Sequence, residues 1–164
     1  MHERRTAYDP GHVAKYLVIV DETEECDRAI YYAARRCARI GARVILMMIN
    51  APSEYENWLG VGEVMRAEAE EKSRDILERA AARARAVAGI EPEWVIREGQ
   101  RSDEIVRQIA EDRDIAVLVL AAGAGKEGPG PLVSTLVGKA SGTFPIPIAV
   151  IPGTLTDDHI DGLA

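Results

Sequence analysis

A single-domain doubly wound α/β fold, a five-stranded parallel sheet with helices on both faces, is what this sequence predicts, and three observations predict it. Short apolar, β-branched runs alternate along the chain with stretches of helical period. The runs are apolar nearly throughout, the pattern of strands covered on both faces. Each is followed by a break: Asp21, Asn50, Gly99, a Gly/Pro-rich stretch, and Pro152.

The elements follow in order. Residues 16–20 (YLVIV) form a buried strand that ends at Asp21. Thr23 is placed to cap the next helix, with Glu24, Glu25 and Asp27 favourable near its N-terminus, Ala29, Ala33, Cys37 and Ile40 on its apolar stripe, and Gly41 to stop it. Residues 44–49 (VILMMI) repeat the strand pattern. An apolar-dotted loop with Tyr55, Trp58, Leu59 and Val61 then leads into a long helix over residues 64–88, acidic early and basic late. Trp58, Leu59 and Val61 suit either packing on the sheet edge or a lid. Residues 92–98 (PEWVIRE) read as a third strand closed by Gly99, and Ser102 as the cap of a helix whose inner face is Ile105, Val106 and Ile109. Residues 115–121 (IAVLVLA) are the most apolar strand. After a Gly/Pro-rich segment come a short helix over residues 132–141 and a last strand over residues 146–151.

Alternating units of this kind demand right-handed crossovers, and ligands of such sheets bind beyond the carboxyl ends of the strands where strand order reverses. The candidate positions are therefore Asp21, Ile49, Gly99 and the segment from Ala121.

Composition narrows the function classes. The chain has 164 residues, 47% hydrophobic and 29% charged, enough for one real core. Its net charge of -7 repels nucleic acid and anionic membrane surfaces, so any anionic ligand must be held by local donors. Neither export nor membrane insertion is indicated, which points to the cytoplasm. Cys26 and Cys37 fall on one helix, roughly 16 Å apart at about 1.5 Å per residue, too far for a disulfide. They read as reduced thiols. A P-loop fails because Leu120 stands where its first glycine belongs and Glu127 where its hydroxyl belongs. A phosphoryl-accepting receiver domain fails because Glu98-Gly99 stands where the acceptor aspartate belongs. His2, His12 and His159 all lie in terminal segments, away from the predicted mouth.

Four segments together resemble the universal stress protein family: VIVDETEECDRAI, a second strand closing on ILMMIN, VIREGQRSDEIVRQIAEDRDIAVLVLAAG, and PIPIAVIP. The resemblance covers residues 15–152, leaving residues 1–14 as a flexible extension and residues 153–164 as a polar, loosely ordered tail. It implies a Rossmann-like sheet of strand order 3-2-1-4-5 and a non-catalytic stress-response protein.

Nucleotide-binding members of that family carry G-x2-G-x9-G followed by Ser or Thr after the fourth strand. Glycines admit phosphate oxygens to backbone amides, and the hydroxyl adds a donor at a helix start. A literal search finds Gly125, Gly128 and Gly138, but Lys139 follows, and too little chain remains for the last helix. Counting back from Pro145-Ile146-Pro147 places Ala121 and Ala124 at the first two glycine positions and Ser134-Thr135 at the last pair, and this register keeps the flanking elements whole.

The resemblance then implies a weak or altered adenine-nucleotide or phosphate site, for ATP or AMP with Mg²⁺, at Val20, Asp21, Ile49, Ala121, Gly123, Ala124, Gly125, Ser134, Thr135 and Leu136. Lys126 is a nearby charge partner, whereas Glu22 brings negative charge toward the pocket. The resemblance also implies a homodimer through the last strand at Ile146, Ile148 and Val150. A ligand-free dimeric interaction module is the alternative reading, and a slow ATP hydrolase the third.

Overall fold

A computed structural model of the chain describes residues 2–52 and 62–164. The loop positions Tyr55, Trp58, Leu59 and Val61 lie outside the described residues. Strands β1 (Lys15–Ile19), β2 (Arg43–Asn50), β3 (Glu93–Glu98), β4 (Ile115–Ala122) and β5 (Ile148–Pro152) form one sheet in the order β3-β2-β1-β4-β5. Every neighbouring pair is parallel, as the sequence predicts.

Helices α1 (Cys26–Ile40) and α2 (Gly62–Ala88) cover one face; α3 (Arg101–Glu111) and a π-helical segment (Val133–Lys139) cover the other. Strand alternation divides β1 between them. Tyr16 and Val18 pack toward α1 and α2, while Leu17 and Ile19 pack toward α3 and the π-helix. In α2 the residues turned inward are Ser73, Leu77, Ala80, Ala81 and Ala84, spaced as one helical face. They meet Ala29, Ala33 and Ala34 of α1, and these small side chains let the two helices pack closely.

Both helix starts differ from expectation for local reasons. Asp21 Oδ1 accepts hydrogen bonds from the Thr23 amide and hydroxyl, so Thr23 is not free to cap, and α1 begins at Cys26 with no side-chain cap. Helix α3 is capped by Gln100, not Ser102: the Gln100 side chain accepts the Asp103 amide at 2.8 Å. Val106 is exposed, as is Ile40, so the inner face of α3 rests on Ile105 and Ile109. At the other end Gly41 closes α1 in the left-handed conformation the sequence called for. Glu104, buried at the foot of α3, is held by Arg97 of β3 at 2.8 Å and by Arg107, which fixes α3 against the sheet edge.

Neither terminal segment hangs free. Arg5 donates to the carbonyls of Ile109, Asp112 and Ile115, and Ala7 is buried. The tail carries a short helix, α4 (Asp157–Asp161), that seats Ile160 and Ala164 against α1. Tyr31 donates to Asp161 at 2.8 Å, and Arg28 reaches both Asp157 and the Leu155 carbonyl. The guanidinium carbons of Arg28, Arg35 and Arg83 stand 5.3 to 5.5 Å from the Tyr31 ring centre. Charged residues made the tail look solvated in sequence; here they pair with Arg28, Tyr31 and Arg83 around the buried Ile160.

Candidate functional site

Strand order reverses between β1 and β4, and a cleft opens there at the carboxyl ends of the strands, where such folds take ligands. Its wider part, about 400 Å³, is bounded by Val20, Asp21 and Glu22 after β1, by Ile49 and Asn50 of β2, and by Arg101 at the start of α3. Its narrower part, about 90 Å³, runs from Asp21 and Arg101 to Ala121 beneath residues 129–133. Ile19, Asp21, Thr23 and Arg101 border both parts.

The floor is apolar. Val20 and Ile49 are buried, and they offer flat hydrocarbon of the kind that receives a planar ring. Asp21 is half-buried, and only its Oδ1 is engaged by Thr23; Oδ2 has no partner among the described residues and stands as an acceptor for hydroxyl groups. Glu22 points its charge at Lys72, 3.1 Å away, which offsets the repulsion expected from the sequence. Cys26 borders the narrow part, but burial pushes its thiol up to about 12, so it is neither a nucleophile nor a ready metal ligand.

The predicted site residues do not all converge. Val20, Asp21, Ile49 and Ala121 meet around the cleft. Gly123, Ala124 and Gly125, with Lys126, line a different hollow of about 770 Å³ on the α1 side, facing Glu24, Glu25, Asp27 and Arg28. Thr135 and Leu136 border a third, about 500 Å³, between α3 and the N-terminal segment. Ser134 is exposed on the π-helix.

Backbone geometry explains the alanines of the aligned motif. Ala121 belongs to β4 and pairs with Ile151, so its backbone is extended and tolerates a β-carbon. Among the described residues only glycines have positive φ, and in this segment they are Gly128 (φ 85) and Gly130 (φ 110). The turn therefore depends on the G-P-G-P run, not on the positions aligned with the family's glycines. Gly123 donates to the Pro129 carbonyl at 3.1 Å, Gly128 to Gly125 at 3.1 Å, and Ser134 to Gly130 at 3.0 Å, folding the loop onto itself.

Arg101 is the cleft residue that sequence reasoning missed. It is exposed and enters no ion pair or side-chain hydrogen bond among the described residues. The available signal was its place two residues after Gly99, at the carboxyl end of β3, a position already marked for ligands by the fold.

A family model for the universal stress protein family matches residues 13–150. No curated protein matches the sequence. Among solved structures, a universal stress protein in complex with cAMP superposes with a TM-score of 0.59 at 17% identity, covering 86% of this chain and 98% of that one. UspA from Lactobacillus plantarum gives 0.67 at 19% identity, with 84% and 97% covered. The Archaeoglobus fulgidus universal stress protein in complex with dAMP gives 0.55 at 18% identity, with 84% and 97% covered. At such identities the likeness is one of fold.

Proposed function

The chain belongs to the universal stress protein family, and from that premise we propose that it is a non-catalytic stress-response protein that binds an adenine nucleotide in the cleft over β1, β2 and β4. The observation that carries the reading is the meeting of Val20, Asp21, Ile49 and Ala121, from three strands, around one cleft at the switch point. An apolar floor for a ring beside a carboxylate oxygen for hydroxyls suits a nucleoside. Two structures of the same fold are described with adenine nucleotides, cAMP in one and dAMP in the other. No catalytic residue is assigned: His12 is engaged with Asp114 and His159 with the cap of α4, and no histidine borders the cleft.

Acid extraction of the purified protein, followed by chromatography, tests for a retained adenine nucleotide, and calorimetric titration with adenosine, AMP and ATP tests for binding. Absence of both, at millimolar ligand, overturns the reading. It would favour the ligand-free interaction module, which the self-satisfied loop and the open edge of β5 support. In either case we place the homodimer contact on β5, at Ile148 and Val150, which are half-buried in the single chain. Ile146 does not belong to that edge. It precedes β5 and is buried beside Leu136 and Phe144.

A further inference from the structure

We propose that the cleft selects adenine ligands with one phosphate group over those with three, and that Arg101 receives the phosphate. The inference rests on the adenine reading above and concerns the same site.

Space is the first argument. The family pattern would send a polyphosphate from the base toward the segment after β4, which here is the narrow part of about 90 Å³, closed over by residues 129–133. The roomier part of about 400 Å³ lies on the β2 side, and no glycine lines it among the described residues. Donors are the second. A polyphosphate cradle needs free backbone amides, and those of Gly123, Gly128 and Ser134 are already donated to carbonyls of the loop itself. Lys126 cannot substitute from where it stands, since it borders the separate hollow among Glu24, Glu25 and Glu127.

Charge is the third. Around the cleft stand the carboxylates Asp21 and Glu25, with Glu22 paired to Lys72, and Arg101 is the one cationic side chain on its lining among the described residues. The neighbouring Arg97 is committed to Glu104, Gln108 and Glu111. One guanidinium matches one phosphate in bidentate geometry, whereas three phosphates would leave most of their charge facing carboxylates. Because Arg101 borders both parts of the cleft, a phosphate on a ribose near Asp21 falls within its reach from either side.

The test is calorimetric titration of adenosine, AMP and ATP with Mg²⁺ into nucleotide-stripped wild type and Arg101→Ala, whose exposed side chain makes the fold safe to alter. AMP is expected to bind wild type about tenfold or more tighter than ATP. Removing a charge-assisted contact should weaken AMP by about 10- to 100-fold, down to the affinity of adenosine. ATP binding as tightly as AMP, or an AMP to adenosine ratio that survives Arg101→Ala, overturns the selection while leaving the adenine site standing. Failure of all three ligands overturns both.

Discussion

The amide of Gly153 donates to the Ala122 carbonyl at 2.8 Å, and a β-carbon built on Gly153 would lie 2.7 Å from that same oxygen. Strand β4 and the start of the tail are thus joined at a spacing only glycine allows. The obstructing atom is backbone, which cannot swing aside as a side chain does. Gly153→Ala should cost about 1–3 kcal/mol, lowering Tm by about 2–4 °C per kcal/mol in a chain this long. Gly125→Ala, with nothing within 4 Å and no positive φ, should stay within about 0.5 kcal/mol. Equal Tm values for the two variants would refute the close approach.

Acid stability should follow the bridge between α1 and α2. Burial works to raise the Asp27 pKa, but hydrogen bonds from Arg83 and Arg28 outweigh it and hold the carboxyl below its ordinary 3.8. A pKa depressed by folding gives stability that is fully present above the unfolded value, about 3.9, and is lost as pH falls through the folded one. Denaturation midpoints of wild type and Asp27→Asn should therefore differ most at pH 5 and above and converge as pH drops below about 4. A gap that stays constant over that range contradicts the assignment.

The thiols offer a direct check on the core. Burial pushes both Cys26 and Cys37 up to about 12, and both are free, one near each end of α1. A thiol that is neither ionised nor reachable does not attack a disulfide reagent. The native protein should release almost no thionitrobenzoate from Ellman's reagent at pH 8, and two equivalents per chain in guanidinium, one for each cysteine of the sequence. Rapid native release would mean that α1 does not pack as described.

What the sequence displayed and what it hid divide along physical lines. The runs YLVIV, VILMMI and IAVLVLA announced buried parallel strands because burial on both faces leaves a signal in every residue. Asp21 and Ile49 were found for the same reason, since fold position alone marks the carboxyl end of a strand. The glycine segment misled because phosphate-loop spacing says nothing of where the amides point. Ala124 and Thr135 matched by alignment, yet they border separate hollows. Arg101 went unnoticed because an arginine near a helix start resembles any surface charge until its lack of partners is visible.

The tail shows the same limit and yields the last test. Gly, Thr and four charged or titratable residues surround Ile160, so sequence alone suggested a solvated end. Yet Ile160 is fully buried against α1, beneath the Tyr31–Asp161 hydrogen bond and the Arg28–Asp157 ion pair. The polar pairs end on half-exposed carboxylates and contribute little individually, and the apolar contact carries most of the attachment. Ile160→Ala should cost about 2–5 kcal/mol, whereas Asp157→Asn should cost under about 1. If the tail were loose, both changes would be silent in a denaturation curve. Limited proteolysis supplies a second reading: Ile160→Ala should expose the bonds after Gly153 to cleavage under conditions in which wild type stays whole, because a helix of five residues cannot hold itself without its anchor.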